Sequence, residues 1–228
     1  MRKARVITAL LAVMVVAFFG GCAAEPFERP PLPALVNPNP SAMRAEFAGR
    51  LAGRFISDDT VIIQAPLRDD MAVLGVLQVD RAAGTFELMG MNHMGLKLFH
   101  LGAEEGDKAI RYALPPLMEQ KDVLLSMAAD TRRMYLDLVP AEGAAVKIRE
   151  TYVRFSQETP EGTLLYEFGG APAVLLEKRM EGFLGTIWRV RYYDYAEAGS
   201  ALYPRGVVMD NDRFGYRIIV KNRTWQTK

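Results

Sequence analysis

The amino-acid sequence predicts a mainly β (α+β) domain in which an antiparallel, curved sheet is covered by a helical segment. Short runs rich in β-branched and aromatic residues recur along the chain, with glycine, asparagine or acidic turn signals between them. The stretch from Leu117 to Leu138 contains no glycine or proline and repeats its apolar residues at helical spacing. Two late strands alternate apolar and polar residues, which is typical of a sheet with one buried face.

The first residues of the chain have the pattern of a secretory signal. Arg2, Lys3 and Arg5 precede the run from Val6 to Phe19, which contains no charged residue. A membrane-spanning helix needs about 20 apolar residues, so this run is too short to be a permanent transmembrane segment. Residues 1–21 are therefore predicted to be a cleaved signal peptide.

The only cysteine of the chain, Cys22, directly follows this run. The sequence from Phe19 to Cys22, Phe-Gly-Gly-Cys, resembles the bacterial lipobox, in which small residues precede a cysteine that becomes lipid-modified. Two or more acyl chains anchor a protein stably, and a triacylated cysteine meets that condition. Ala23 replaces the aspartate of inner-membrane retention, so the resemblance implies an outer-membrane anchor facing the periplasm. The alternative is a buried or incidental cysteine.

Composition divides the remaining chain into a tether and one domain. Six prolines fall between Pro26 and Pro40, so residues 22–40 are read as the lipidated cysteine and an extended tether. Residues 41–228 form one domain with enough chain for a sizeable core. Without the signal, 25 basic side chains face 27 acidic ones, which gives no electrostatic case for a nucleic-acid partner. A monomer is expected.

The domain is predicted to open with a short helix capped by Ser41. Six candidate strands follow: Arg54 to Ser57, Thr60 to Ala65, Ala72 to Asp80, Thr85 to Met91, Gly95 to Leu101 and Lys108 to Leu114. The interval from Leu117 to Leu138 is then one long helix or two short ones. Six further strands complete the chain: Lys147 to Phe155, Thr163 to Phe168, Ala173 to Met180, Thr186 to Tyr195, Gly206 to Met209 and Phe214 to Lys221.

Alternation assigns the faces of two of these strands. Trp188, Val190 and Tyr192 point to one face, and the residues between them, Arg189 and Arg191, point to the other. The last strand places Phe214, Tyr216, Ile218 and Val220 on one face in the same way. We expect the aromatic face to be concave and covered by the helical segment, and the opposite face to be wet.

Two stretches carry a resemblance to a known family. They are "MGLKLFHL", from Met94 to Leu101, and the carboxy-terminal "YPRGVVMDNDRFGYRIIVKN", with a double proline and the helix between them. In this order the elements resemble bacterial lipoproteins catalogued as domain of unknown function 3261, over roughly Phe47 to Asn222. That family is similar to the LolA and LolB lipoprotein carriers, so the resemblance implies a half-barrel with a helical lid that holds acyl chains. Its most specific part is a hairpin from Pro204 to Val220.

The resemblance and the face assignments predict a cavity for a lipid, or for an acylated or other apolar ligand. Such a protein would act in envelope lipid or lipoprotein trafficking. The alternative is a non-enzymatic accessory lipoprotein of an envelope assembly, with a filled core and a protein partner. A cavity of about 300 to 1,000 Å³ is usual for ligand sites and distinguishes the two hypotheses. The predicted ligand-binding residues are Leu96, Leu98, Leu124, Tyr135, Trp188, Val190, Tyr192, Phe214, Tyr216 and Ile218.

Residue patterns that support catalysis or metal binding are scarce, so no enzyme, metal or cofactor is predicted. His93 and His100 are the only histidines, and their spacing does not match a metal pair on a helix or a strand. The acidic pair Asp69-Asp70 and the run Asp210-Asn211-Asp212 adjoin predicted turns, where such residues bond to the local backbone. Calcium binding or paired carboxylates are the alternative for both. The methionines near the sheet–helix junction suit either ordinary core packing or an adaptable cavity: Met89, Met91, Met94, Met118, Met127 and Met134.

The lipobox resemblance is tested by Cys22→Ser. The serine hydroxyl replaces the thiol that would take the diacylglycerol thioether, so acylation is abolished and unprocessed precursor accumulates. Metabolic labelling with a fatty-acid analogue measures this. Equal label in the variant and the wild type would refute the lipobox interpretation.

Overall fold

The computed structural model describes residues 25–65 and 69–228. Cys22 and the predicted signal lie outside the described residues. In the described part, twelve antiparallel strands form one curved sheet that does not close into a barrel, which confirms the predicted fold class. The strands are β1 (Arg54–Gln64), β2 (Met71–Asp80), β3 (Thr85–Met91), β4 (Lys97–Gly102), β5 (Ile110–Ala113), β6 (Ala145–Ile148), β7 (Tyr152–Thr159), β8 (Gly162–Gly169), β9 (Val174–Gly182), β10 (Gly185–Ala198), β11 (Ala201–Asn211) and β12 (Tyr216–Thr227).

Strand order places the ends of the domain at the middle of the sheet. The order is β5-β4-β3-β2-β1-β12-β11-β10-β9-β8-β7-β6. The first and last strands therefore pair with each other, with Val61 opposite Val220. The two edge strands, β5 and β6, are consecutive in the chain. The segment that joins them must cross a face of the sheet, and it contains most of the helical residues of the domain.

Three α-helices occur in the described residues. Helix α1 (Pro40–Arg50) precedes the sheet, and α2 (Pro115–Met118) and α3 (Lys121–Tyr135) lie in the segment between the edge strands. The α1 helix was predicted, but its cap is Asn39 rather than Ser41, because the Asn39 side chain accepts the Ala42 N–H at 3.1 Å. The interval predicted as one long helix or two short ones contains two helices, α2 and α3. In the described residues no helix is long and apolar enough to cross a membrane.

The strand predicted from Gly206 to Met209 is only part of the longer β11. Two further predictions gave the wrong number of strands. The sequence splits Arg54 to Ala65 into two strands at Asp58-Asp59, whereas β1 continues through both residues with a register shift against β12. Ser57 and Asp59 point inward as a buried polar pair, so their polarity does not mark a turn. Conversely, the single strand predicted from Lys147 to Phe155 is a hairpin made of β6 and β7.

The concave face of the sheet holds the main core. The inward residues of β10 are almost fully buried, as the alternation predicted: Trp188 (3% exposed), Val190 (0%) and Tyr192 (2%). Aromatic rings from α1 and the sheet pack edge to face, with Phe47 and Phe168 centroids 5.2 Å apart. Helix α3 covers this face and contributes Leu124, Met127 and Met134 to the same core. Apolar burial therefore explains the side of the sheet on which the helix lies.

The outer face is not wet along its whole length, because the chain before α1 packs on it. Glu25 accepts hydrogen bonds from the guanidinium of Arg191 and, at 2.5 Å, from the hydroxyl of Tyr193. Phe27 stacks on Tyr193 with 5.2 Å between centroids. Its ring fills the space over Gly206, where an added Cβ would lie 2.7 Å from it. Tyr193 is consequently a buried residue on the outer face.

Further contacts continue this path across the sheet. Arg29 donates to the backbone oxygen of Leu176 at 3.3 Å, and the Leu35 N–H donates to the oxygen of Glu150 at 2.7 Å. The expected wet outer face is therefore wrong for strands β9 to β11. The described part of the predicted tether is extended, but it is docked against the domain.

The ring of Phe99 on β4 packs directly over Gly90 on β3, so a larger residue at this position should destabilise the domain. The buried ring of Phe99 lies over Gly90, and an added Cβ would be 2.3 Å from it. Gly90→Ala should lower the free energy of unfolding by about 1–3 kcal/mol, the usual cost of overpacking a core. Urea denaturation measures the change.

Gly49→Ala in α1 is the matched control, because nothing lies within 4 Å of an added Cβ there. It should stabilise the domain by about 0.5 kcal/mol, since alanine favours helix more than glycine does. Equal effects of the two substitutions would contradict the packing at Gly90.

Candidate ligand-binding site between the helix and the sheet

The candidate site is the space between helix α3 and the concave face of the sheet. The helix crosses from one edge strand to the other, so one of its sides faces the sheet along its length. That side is not purely apolar, because Ser126, Asp130 and Thr131 are buried on it together with the apolar residues. The buried residues of α3 are Leu124, Ser126, Met127, Ala128, Asp130, Thr131, Met134 and Tyr135.

An inner cavity lies under α3 and is nearly filled. Its volume is about 30 Å³, far below the roughly 300 Å³ at which ligand pockets begin. The lining is apolar except for Asp59 and Thr131, and comprises Asp59, Val61, Val73, Gly75, Leu77, Leu88, Phe99, Met127, Thr131, Met134, Tyr135, Ile218 and Val220. As described, this cavity has no room for an acyl chain.

Asp59 places a titratable carboxyl at the wall of the inner cavity. Burial raises its pKa to about 6, and hydrogen bonds from Ser57 (2.9 Å) and Asn222 (2.9 Å) oppose that rise. The nearby hydroxyl of Tyr135 is also buried, which raises its pKa well above the ordinary value. Near neutral pH the cavity wall therefore carries a desolvated negative charge with two fixed donors.

A second polar cluster joins the middle of α3 to strands β11 and β12. Asp130 is fully buried and accepts hydrogen bonds from the hydroxyl of Tyr216 and from the amide of Asn211, the latter at 2.9 Å. The Tyr216 hydroxyl also lies 2.8 Å from the Ser126 hydroxyl, and Arg133 donates to Asp130 at 2.6 Å. Burial, with Asp130 as the second cause, raises the pKa of Tyr216. This cluster holds the helix at one position on the sheet.

An outer cleft lies on the other side of this cluster. Its volume is about 280 Å³, and its lining is Ser126, Ala129, Arg133, Glu161, Ile187, Trp188, Asn211, Arg213 and Phe214. The indole of Trp188 is buried there, and its N–H has no hydrogen-bond partner among the described residues. Arg133 lies over the same ring, with its guanidinium carbon 5.1 Å from the centroid. The cleft therefore combines aromatic walls and cationic groups.

Lys178 of β9 holds the carboxyl end of α3. Its side chain is almost fully buried, and its Nζ donates to the backbone oxygens of Arg133 (3.2 Å) and Asp137 (2.6 Å). A cation is favourable at this end of a helix. Burial nevertheless lowers the pKa of Lys178 to about 7, with Arg133 acting in the same direction and Asp137 against it.

The structure brings most of the predicted ligand-binding residues to the concave side. Seven are buried there: Leu124, Tyr135, Trp188, Val190, Tyr192, Tyr216 and Ile218. Leu98 is partly buried and packs against the same core. Leu96 lies in a turn and is 53% exposed, and Phe214 lies in the turn before β12 rather than on the strand. Tyr135 and Ile218 line the inner cavity, and Trp188 and Phe214 line the outer cleft. Their role in binding stays a prediction.

His100, Asp70, Asp210 and Asn211 of the polar motifs have partners in the fold, and the Gln64 amide donates to Asp70 at 2.7 Å. His100 lies 2.7 Å from Glu87, and no group of three or more metal-ligating side chains occurs within residues 25–65 and 69–228. In the acidic run, the Asn211 side chain accepts the Phe214 N–H at 3.2 Å, the local backbone bond expected of a turn. Asp210 instead pairs with Arg217 at 2.5 Å on the outer face.

Sequence reasoning missed the buried polar residues Asp59, Asp130 and Lys178. Asp130 and Lys178 fall within apolar-patterned segments, where a single charged residue is more often solvated than buried. One feature indicates that Lys178 is buried. It lies opposite Val190 and Tyr166 in the sheet, and the sequence assigns Val190 to the inner face. Combining strand register with that face would have placed the lysine inside.

Comparison with solved structures finds the same fold at low sequence identity. A LolA superfamily protein of Nitrosomonas europaea aligns over 82% of this chain and 93% of its own, with 7% identity and a TM-score of 0.52. A DUF1329 family protein of Desulfovibrio piger aligns over 82% and 92%, with 7% identity and a TM-score of 0.50. A putative outer membrane lipoprotein-sorting protein domain of Vibrio parahaemolyticus aligns over 81% and 90%, with 11% identity, but its TM-score of 0.37 is too low to support a conclusion.

No protein-family model and no curated protein matches this sequence. The structural likeness confirms the LolA-like fold that the resemblance implied. The finer resemblance to domain of unknown function 3261 stays a prediction.

Because the pKa of Lys178 is lowered in the fold, we expect the free energy of unfolding to rise with pH. Its pKa is about 7 in the fold and about 10.5 in the unfolded chain, so between these values the unfolded state holds more protons. Stability should therefore rise with pH, by about 2 kcal/mol between pH 7 and 9. Urea denaturation across that range measures the slope.

Lys178→Met should remove this slope, whereas Lys147→Met, at an exposed position on β6, should keep it. Asp59 does not interfere, because its pKa of about 6 confines its effect to lower pH. Identical slopes in the wild type and Lys178→Met would contradict the assignment.

Proposed function

We propose that this protein is an outer-membrane-anchored, periplasm-facing lipoprotein that binds an amphiphilic lipid or acylated ligand between helix α3 and the sheet. The outer cleft is the observation that carries the proposal. Its volume is close to the lower limit of known ligand sites, and aromatic and cationic side chains line it. Catalysis forms no part of the proposed function.

The cleft chemistry favours an amphiphile over a purely apolar molecule. The Trp188 N–H is buried without a partner, and a ligand oxygen that reached it after a shift of α3 would remove the cost of this unsatisfied donor. Arg133 and Arg213 add positive charge at the same cleft, with Glu161 as the acidic member of its lining. A headgroup with anionic oxygens fits these donors, and the adjoining Ile187 and Phe214 suit the start of an acyl chain.

A long acyl chain also requires the helix to move. The inner cavity holds about 30 Å³, so the chain can extend past the cluster of Asp130 and Tyr216 only when α3 shifts away from the sheet. Hydrogen bonds hold the helix at that cluster and at Lys178, with tightly packed apolar contacts between them. Because such directional contacts can break together, we expect α3 to have two discrete positions, one seated on the sheet and one displaced by the ligand.

The anchor is proposed from sequence alone. The signal-like residues 1–21 and the lipobox-like sequence at Cys22 support lipid attachment, and Ala23 supports the outer membrane. The proposed cellular role is lipid or lipoprotein trafficking in the envelope.

A second candidate function is supported by a separate observation. The filled inner cavity fits an accessory lipoprotein that uses the same fold as a solid scaffold within an envelope assembly. In that case α3 is a permanent part of the core, and the partner is a protein. The two functions differ in whether α3 moves.

Ligand entry can be measured with 12-doxylstearate, a fatty acid that quenches tryptophan at short range. A soluble chain of residues 23–228 carrying Trp225→Phe leaves Trp188 as the only tryptophan. Trp188 fluorescence should then fall saturably during titration, and palmitate should reverse the loss by competition. Absence of saturable quenching would favour the accessory function.

A disulfide crosslink between α3 and β11 tests whether uptake of the fatty acid requires movement of the helix. Ser126→Cys and Asn211→Cys join α3 to β11 at a point where the native side chains lie 3.2 Å apart. The oxidised form should lose saturable quenching, and reduction of the same sample should restore it, so each preparation is its own control. Undiminished uptake in the oxidised form would contradict movement of α3.

A further inference from the structure

The docked amino-terminal segment reaches the middle of the outer face. Glu25, the first residue that the structure describes, bonds to Arg191 and Tyr193 of β10. Arg191 lies six residues after Gly185 and seven before Ala198, the two ends of that strand. At roughly 3.3 Å per residue, each end of β10 is therefore about 20 Å away.

The same point is also central across the width of the sheet. In the strand order, β12 and β11 are the two middle strands, and β10 lies next to β11. Phe27, two residues after Glu25, covers Gly206 of β11. Because the outer face is the convex side of a curved sheet, Glu25 lies near the crest of that face.

The chain between this point and the proposed anchor is short. Cys22 lies three residues before Glu25, which corresponds to about 10 Å of fully extended chain. Even if these residues ran straight along β10, Cys22 would stop about 10 Å short of either end of the strand. While the segment stays docked, an anchor at Cys22 therefore brings the outer face, and neither end of the sheet, close to the lipid.

We propose that the middle of the outer face rests against the anionic headgroups of the bilayer that holds Cys22. The inference rests on the proposed lipid anchor. This surface is called the central outer face, and it consists of the outward side chains of residues 189–193 of β10, 206–210 of β11 and 217–221 of β12.

The charges of the central outer face suit such headgroups. Its outward side chains alternate with the buried inward ones, and Asp210 lies opposite Arg189 on one side and Arg217 on the other. Asp210 is the acidic residue of this surface, and its basic residues are Arg189, Arg191, Arg217 and Lys221. Glu25 adds one further acidic group from the docked segment. Basic residues still outnumber acidic ones, so lipid phosphates are attracted to this surface.

This orientation turns the ligand site away from the bilayer. Helix α3 covers the concave side of the sheet, opposite the central outer face, so it faces the periplasm. The outer cleft is lined partly by Glu161 and Phe214, which belong to turns at one end of the strands. It therefore opens along the membrane surface rather than into it. A ligand is then exchanged through the periplasm, and not directly with the bilayer beneath the domain.

The test uses the full lipidated chain reconstituted in vesicles of phosphatidylethanolamine and phosphatidylglycerol. Lys221→Cys supplies a thiol on the central outer face for a nitrobenzoxadiazole label, since acylation removes the only native thiol. Arg132→Cys is the matched control, because it also removes one exposed basic side chain but lies on α3. Lipid with a nitroxide on its headgroup should quench the label at residue 221 at least twofold more than the label at residue 132.

Two further labels test whether an end of the sheet lies against the bilayer instead. Phe183→Cys and Ser200→Cys place the same label in the turns before and after β10, where both side chains are exposed. Quenching at residue 221 should exceed quenching at both ends. Stronger quenching at residue 183 or residue 200 than at residue 221 would overturn the proposed orientation.

Equal quenching at the four positions, in chains that float with the vesicles on a density gradient, would overturn the orientation and leave the anchor intact. Chains that do not float would instead overturn the anchor itself and the anchored function proposed above. The two failures are thus distinguishable in one experiment.

A second variant tests the docked segment. Glu25→Ala with Phe27→Ala removes the contacts to Arg191 and Tyr193, and residues 22–40 can then span about 60 Å. The chain should still float, while the ratio of quenching at residue 221 to that at residue 132 falls toward one. Val36→Ala is the control, since Val36 belongs to the same segment but is 87% exposed. A ratio unaffected by the double substitution would show that the docked segment does not hold the outer face against the bilayer.

Discussion

The position of the two edge strands is the constraint on which the rest of the structure depends. Strands β5 and β6 are consecutive in the chain yet lie at opposite edges of a twelve-stranded sheet. The connection between them must span that width, and the concave face is where its apolar residues can be buried. Helix α3, the inner cavity and the outer cleft all follow from this crossing. The helix is thus tied at both ends to the sheet it covers.

Buried polar groups hold the connecting segment, and α3 in particular, in position on the sheet. Asp130 and Lys178 fix the middle and the carboxyl end of α3, while a nearly filled apolar layer lies between helix and sheet. Hydrogen bonds between buried partners specify one position and are costly to leave unpaired, so the helix is either seated or displaced. The proposed entry of a ligand requires these hydrogen bonds to break.

On the outer face, ion pairs join neighbouring strands, and the amino-terminal segment covers part of the surface. Ion pairs cross between neighbouring strands from β7 to β12, as at Arg154–Glu167 (2.6 Å) and Arg179–Glu167 (3.1 Å). Glu25 joins this set of charges through Arg191, and Phe27 covers the gap left by Gly206. The segment that leads toward the proposed anchor is therefore part of the fold.

The sequence by itself determined the fold class, the inward face of β10 and the helical segment, because these depend on periodicities that local composition records. It also placed Trp188, Tyr216 and Ile218 on the inward face of the sheet. Only the tertiary structure decided that β1 continues through Asp59, that Lys178 is buried, and that Phe27 covers Gly206. These features arise from contacts between residues far apart in the chain, and polar residues whose partners are distant show no local pattern. The volume beneath the helix was undetermined for the same reason, since it depends on how closely α3 and the sheet pack together.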